Sequence, residues 1–484
     1  MAMRLPNSVA PHLAAPECEA HLSSTDPQLP ILVAALVPDF KTTSPHIRTT
    51  MEPASLITLP PELLAEICRH LCRHCSRRHA TDTWPWNLDV DDVRPGSPSA
   101  DLLSLSRVCK TLRAVTEPFL YHSLATFHEY AVHFFLRDLM RHPDQPHMAR
   151  RLSDVEVGHA RWPNRPADLS SSESEDHDMF ISMLLDLALN LRRAHFRLPS
   201  QSSSQLNLAK VPLTSLKALA FSSCDTSFPL DQATPLIMAA PNLEVLHCHG
   251  CTSARHWFTN SLGRIVLAPP PPLQNLTELT LSHARLDVAS FYRLLSAVGP
   301  GLSKFSIQQQ ETTLDMRNEF VDFHEATAAL APWTDTLKEL SYTIRGGALH
   351  QRPLGLPCML HVREFTTLER LRVQLLEVVL VQMNIGHLDG YPDPEEEPLT
   401  MLLPNSLREL TLLDYRGSLA SDLGELRDAK SERGRYAALR KIEIDARGFE
   451  KLYDPDSDEA RELEQLGAWF QAEGVDFVFL CEVR

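Results

Sequence analysis

A leucine pattern that recurs ten times between positions 152 and 444 limits this chain to very few architectures. The unit is L-x-x-L-x-L with apolar substitutions. It reads Leu152/Val155/Val157, Leu191/Ala194/Phe196, Leu216/Leu219/Phe221, Leu243/Leu246/Cys248 and Leu276/Leu279/Leu281 in the first half. It continues as Leu302/Phe305/Ile307, Leu337/Leu340/Tyr342, Leu368/Leu371/Val373, Leu407/Leu410/Leu412 and Leu439/Ile442/Ile444. The mean step is about 32 residues. Helix-length amphipathic stretches lie between copies, at 179–189, 288–298 and 320–330 for example. A strand followed by a helix can bury neither face alone, so successive units must stack. The expectation is a curved α/β solenoid over 151–484, with a parallel sheet on its concave side. A helix at 456–473 and a strand at 475–479 close it. Cys224 and Cys251 stand three residues beyond the last apolar position of their units, where such repeats bond turn backbone.

Side chains alternate across a strand, so residues next to the buried positions point out onto the concave face. That stripe holds His247 and His249, Lys304 and Gln308, and Arg370 and Arg372, the candidate target-contacting residues. Two arginines on one strand of an acidic chain suit an acidic or phosphorylated ligand. The plainer alternative is a solvated sheet face whose charges have no ligand.

The chain has 484 residues, 22% of them charged, and a formal net charge of −16. That charge opposes a general role in nucleic-acid binding. No apolar run reaches bilayer length, and the N-terminus lacks a basic-then-apolar leader. With ten scattered cysteines, the expectation is a soluble, intracellular protein of cytoplasm or nucleus, with no membrane partner. No P-loop, G-x-G-x-x-G, H-E-x-x-H or G-x-S-x-G is present, so neither enzymatic activity nor a cofactor is expected. Cys68, Cys72, Cys75 and His79 suggest zinc, and Cys72/Cys75 has ligand spacing. No second pair lies within the polar insert at 72–100, so these read as incidental thiols and no metal is expected. His247-Cys248-His249-Gly250-Cys251 is explained by repeat register. The acidic stretches at 170–178 and 393–397 read as solvated loops.

Residues 1–54 carry no sustained periodicity and read as disordered. From Leu59 the pattern changes. Pro60 and Pro61 open a helix, Glu62 suits its positive end, and Leu63, Leu64, Ile67 and Leu71 form an apolar stripe. Beyond the insert, Asp101 can cap a second helix carrying Leu102, Leu105, Val108, Cys109 and Leu112. Pro118 is expected to break the apolar continuation through Val115, Phe119, Leu120 and Tyr121. A connecting amphipathic helix is expected within 126–150.

Leu59-Pro60-Pro61-Glu62-Leu63-Leu64-Ala65-Glu66-Ile67, joined to Asp101-Leu102-Leu103-Ser104-Leu105-Ser106-Arg107-Val108-Cys109-Lys110, resembles an F-box, spread here over 55–125. With degenerate leucine-rich repeats downstream, the chain resembles the F-box and leucine-rich-repeat proteins of filamentous fungi. The resemblance implies an α/β protein with an N-terminal three-helix F-box ahead of the solenoid. It implies a substrate receptor of an SCF ubiquitin ligase, bound to a Skp-type linker and through it to cullin, with a protein substrate of unknown identity. The residues carried over to the linker surface are Leu59, Pro60, Glu62, Leu63, Ile67, Leu102, Val108 and Cys109.

Overall fold

A computed structural model describes residues 59–72, 75, 99–126, 129–141, 145–158, 171–198, 211–223, 228–253, 273–310, 321, 323–345, 362–374, 399–413, 419–445 and 458–480. The segment 1–54, most of the insert at 72–100 with His79, Cys224, and the acidic run at 393–397 lie outside them.

The repeat leucines become the rungs of one sheet. Twelve parallel strands pair in chain order: β1 Ser123–Thr126, β2 Asp154–Gly158, β3 Arg193–Leu198, β4 Ala218–Ser223, β5 Val245–His249 and β6 Glu278–Ala284. The order continues through β7 Lys304–Gln310, β8 Glu339–Arg345, β9 Arg370–Gln374, β10 Glu409–Leu413, β11 Lys441–Asp445 and β12 Asp476–Leu480. All three apolar positions of all ten copies are buried. Their neighbours alternate toward solvent on β5, β7, β10 and β11. The chain needs unequal lengths to travel from Asp154 to Arg193 and from Arg193 to Ala218, yet each pair stays in register. Register holds because a slip of one residue would turn every buried side chain into water.

A recurring turn bond sets the step. From β1 to β10, one carbonyl before each strand accepts two successive amides from the next unit. Ser153 O takes Arg192 N and Arg193 N, Glu244 O takes Thr277 N and Glu278 N, and Arg408 O takes Arg440 N and Lys441 N. The series begins at His122 O, which takes Ser153 N at 3.0 Å and Asp154 N at 3.3 Å. The sheet therefore starts one unit earlier than the leucine pattern indicates. The first unit, Ser123-Leu124-Ala125-Thr126, is too short and polar to display the repeat.

The head is built of α1 (Pro61–Leu71), α2 (Ser99–Val108) and α3 (Lys110–Leu120). Three expectations are corrected here. Asp101 lies inside α2 rather than capping it, because the helix starts at Ser99. The single helix expected through Leu112 is broken at Cys109, whose extended backbone lets its sulfur accept the Leu112 amide and cap α3. Pro118 does not end α3, which runs two residues further, since only one hydrogen bond near the end is lost.

Behind the sheet come α4 (Glu129–Arg141), α5 (Gln145–Ala149), α6 (Ser171–Leu187), α7 (Leu230–Ala239), α8 (Val288–Ser296), α9 (Phe323–Ala329), α10 (Leu399–Leu402), α11 (Leu419–Arg433) and α12 (Asp458–Ala472). Leu184, Phe291, Leu294, Leu423 and Phe470 from these helices share one hydrophobic core with the strands. The connecting helix is thus the first of the stack, α4, and it supplies Val132 and Leu136 to that core. The acidic stretch at 170–178 is corrected too: its backbone is helical from Ser171. Acidic residues favour the first turns of a helix through its dipole, so composition alone misreads the segment as a loop.

Candidate functional site

This architecture presents two surfaces, one on the head and one on the open face of the sheet. On α1, Leu64 and Cys68 face inward and are buried, while Leu63 keeps 52% of its surface exposed and Ile67 is half-buried. Positions 63 and 67 form the row beside 64 and 68 on a helix surface, so the apolar arc is wider than the head's own core can use. Pro60 and Glu62 are exposed and Leu59 is half-buried. On α2, Val108 is 60% exposed, and Leu103, which helical spacing does not single out, is 42% exposed. Leu102 is corrected: it is buried with Cys68 and Cys72 in the head's small core. Cys109 is half-buried and already used as a helix cap.

The open sheet face carries the other set. Register aligns Glu278, Lys304, Glu339, Arg370, Glu409, Lys441 and Asp476 in one row across seven adjacent strands. Charge alternates at every step. Glu278 Oε1 lies 2.8 Å from His247 Nε2 and 3.1 Å from Lys304 Nζ. Burial tends to raise the Glu278 carboxyl's pKa, but hydrogen bonds and attraction from His247 and Lys304 outweigh it and leave the value lowered. Arg370 pairs with Glu339. At the far end Arg193 donates Nε and Nη2 to Asp154 at 3.0 and 2.8 Å. The pairing of Arg370 with Arg372 as one acidic-ligand clamp is therefore corrected, because Arg370 is held by a carboxylate on the neighbouring strand.

The next row is different. Thr280, Ser306, Ser341, Arg372 and Thr411 follow one another across β6 to β10. Arg372 is exposed and, among the described residues, has no ion pair or hydrogen bond; its register neighbours are hydroxyl side chains. A third row holds His249, Ser282 and, past an irregularity in β6, half-buried Gln308 beside Thr343. His249 Nδ1 lies 3.0 Å from Ser282 Oγ. At the irregularity His283 adopts a positive φ of 51°, which puts its ring 4.5 Å from that of His249. The six predicted residues thus share one face, but only Arg372 offers a charge that its neighbours leave unmatched.

Further toward the head the face closes. His195, Ala218, Ala220 and Ser222 are all buried. His195 Nε2 lies 2.9 Å from Ser222 Oγ, and its Nδ1 lies 3.4 Å from Glu156 Oε1. This has the order of a nucleophile, base and orienting carboxylate. With His195 at 2% and Ser222 at 3% exposure, the hydroxyl offers no approach to a substrate. The group satisfies buried polar atoms instead. The alternation rule applied to Leu191/Ala194/Phe196 would have placed His195 on this face.

Cys248 points inward, as repeat register indicates, and Cys251 is buried at the start of a short strand, Cys251–Thr252, that pairs with Phe228–Pro229. Burial pushes the Cys248 thiol well up, with Cys251 adding to it, and pushes Cys251 up to about 12. These are core thiols. Cys72 and Cys75 are placed differently: both sulfurs face His122, a residue that no sequence pattern marks. Among the described residues, no helix is long and apolar enough to cross a membrane.

No family model matches the chain, and no curated protein does. Among solved structures, an internalin from Listeria monocytogenes is similar at 13% identity, over 70% of this chain and 76% of that one, with a TM-score of 0.31. A protein from Bacteroides fragilis is similar at 11% identity, over 74% and 72% of the two chains, with a TM-score of 0.30. The twelve parallel strands, the buried L-x-x-L-x-L rungs and the repeated carbonyl bond decide the architecture on their own. The fold is of the leucine-rich-repeat type.

Proposed function

We propose that this chain is a substrate-recognition adaptor of an SCF-type ubiquitin ligase, a non-catalytic subunit. Its head grips a Skp-type linker and its open sheet face, from β5 to β11, holds a target protein. The observation that carries this reading is the exposure of Leu63 and Val108 on helices whose inner faces are already filled by Leu64, Cys68 and Leu102. Apolar side chains of that size on a three-helix unit gain free energy from a second protein surface. The Leu59-Pro60-Pro61-Glu62-Leu63 and Val108-Cys109-Lys110 elements resemble the F-box that binds such a linker. The sheet face offers hydrogen-bonding hydroxyls, a guanidinium without a partner among the described residues, and paired charges, which suit a polar protein surface. Holding the target beside a ubiquitin-charged conjugating enzyme makes transfer effectively intramolecular, so the adaptor supplies proximity.

The test is co-purification of the full chain with a Skp-type linker, comparing it with a Leu63→Asp, Val108→Asp double variant. Both sites are exposed, so the double variant should unfold within about 0.5 kcal/mol of the parent for each substitution. Capture of the linker by the parent and its loss in the variant is the expected result. A parent that binds targets through its sheet face but no linker is a leucine-rich-repeat scaffold without a ligase role. That outcome overturns the adaptor reading.

A further inference from the structure

We propose that Cys72, Cys75 and His122 form a zinc site that clamps the head to the first unit of the repeat stack. Their three ligand atoms all lie within 4.8 Å of one another. His122 Nδ1 is 3.8 Å from Cys72 Sγ and 3.4 Å from Cys75 Sγ. Zinc bonds thiolate sulfur at ~2.3 Å and imidazole nitrogen at ~2.0 Å, so a tetrahedral angle sets the sulfur–nitrogen separation near ~3.5 Å. The two observed separations bracket that value. Each nitrogen–sulfur pair thus stands within a few tenths of an ångström of its metal-bound spacing.

The positions have independent structural reasons. Cys72 follows the last residue of α1, with an extended backbone, its amide donating to Cys68 O. Three residues later the chain presents Cys75 to the same point. His122 occupies the first of the carbonyls that set the repeat step: its own O accepts from Ser153 N, Asp154 N and Ser153 Oγ. That backbone anchoring fixes where the imidazole begins. The Phe119 ring lies 5.2 Å from the His122 ring, and Leu102 and Cys68 pack around Cys72, giving the sulfurs a partly apolar wall. Cys75 and His122 keep partial exposure, so an ion can reach them from solvent. Two thiolates and one imidazole form a borderline-soft donor set that favours zinc over magnesium or calcium.

The ligands come from opposite sides of the polar insert, 50 and 47 residues apart in sequence. Ion binding would displace two thiol protons, and closing this long loop would stabilise the folded state. The orientation of the head relative to β1 would then depend on metal. This inference stands apart from the adaptor reading, since a clamp at that position serves a scaffold equally.

The test uses the reduced full chain, purified from zinc-replete cells without chelator. We expect roughly one zinc per chain by metal analysis. After stripping, titration with Co2+ alone should give the intense bands of tetrahedral cobalt with thiolate-to-metal charge transfer. Cys75→Ser and His122→Asn should each weaken metal binding at least about tenfold. Both side chains are half-exposed, and far-UV circular dichroism checks that the variants fold. Should either variant unfold, the cobalt spectrum of the parent and zinc's protection of two thiols from alkylation decide the matter. A reduced parent with neither zinc nor a cobalt charge-transfer band overturns the proposal, leaving hydrogen-bonded thiols only. So does zinc retained by both folded variants.

Discussion

Gly299 and Gly301 make a matched pair for testing how tightly adjacent units approach. Gly299 N donates to Leu273 O at 3.0 Å, and Gly299 O accepts Trp333 Nε1 at 2.7 Å, so one residue ties together three successive units. A Cβ on Gly299 would meet the backbone of Gln274, 2.7 Å from its carbonyl carbon and 2.8 Å from its Cα, with the oxygen nearer still. Real Cβ atoms do not come within 3.0 Å of a neighbour, and a backbone strand cannot swing aside as a side chain can. Gly299→Ala must therefore push two units apart. Overpacking of this kind costs about 1 to 3 kcal/mol, and the two buried hydrogen bonds it strains add ~1 kcal/mol each. The expected loss is about 3 to 5 kcal/mol. Gly301→Ala has only Leu276 O within 4 Å, at 3.9 Å, and should be neutral or stabilising by up to about 1 kcal/mol. Repeat arrays open regionally, so local hydrogen exchange in peptides covering 273–310 is the right assay. Gly299→Ala should lower protection there roughly a hundredfold or more, at ~1.36 kcal/mol per decade. Protection within about threefold of the parent would refute the close-approach argument, because a threefold change is only ~0.7 kcal/mol.

Glu278→Gln removes the acid that holds both His247 and Lys304 and should cost about 1 to 2 kcal/mol at pH 7. The folded Glu278 carboxyl lies below its unfolded pKa of about 4.3, so its stabilisation is complete above that pH and disappears as pH falls through the folded value. Urea midpoints of parent and variant should converge in that acid window; a gap that stays constant would exclude the pairing as its cause. Arg372→Ala should weaken capture of an acidic target at least about tenfold while leaving the urea midpoint unchanged, as expected for an exposed side chain with no partner among the described residues. Arg370→Ala should instead lower stability by up to about 1 kcal/mol, since Arg370 is half-exposed and held by Glu339.

The solenoid was legible because its signal is redundant. Ten copies of three apolar positions survive substitutions as different as alanine in the middle of Leu191/Ala194/Phe196 and tyrosine at the end of Leu337/Leu340/Tyr342. Period two decides which strand residues lie opposite the buried rungs, since orientation follows directly from the pleat, but not how open that face is: Ala218, Ala220 and Ser222 are buried there. Pairing across strands was not legible, because it depends on which residue of the next unit comes into register. The sequence shows Arg370 beside Arg372 but hides the Glu339 that claims Arg370. The head shows the same limit. Helix spacing marks Leu63, Leu64, Ile67 and Leu71 as one apolar stripe, and only the packing of α2 and α3 against α1 decides that Leu64 goes inside, with Cys68 beside it, while Leu63 stays out. Cys109 reads as one more apolar position until its extended backbone makes it a cap. His122 carries no periodic signal at all, because its role is fixed by a backbone carbonyl and by two sulfurs from far along the chain.

The alternating row bears on recognition. Strands stand about 4.8 Å apart, so two like charges in neighbouring register would repel by ~1 kcal/mol in water and ~3 kcal/mol at an effective dielectric of about 20. A charge on every one of seven strands is tolerable only if the sign changes each time, as Glu278, Lys304, Glu339, Arg370, Glu409, Lys441 and Asp476 do. Such a row carries a net charge of only about −1 spread over seven strands and exerts little steering over distance. It does hold one edge of the face rigid. Under the proposed reading, selectivity would come from the adjacent row, where Thr280, Ser306, Ser341 and Thr411 are short enough to let a partner approach the sheet. Arg372 rises among them with its fork of donors uncommitted, so a carboxylate or phosphate that reaches it replaces water without breaking an existing pair.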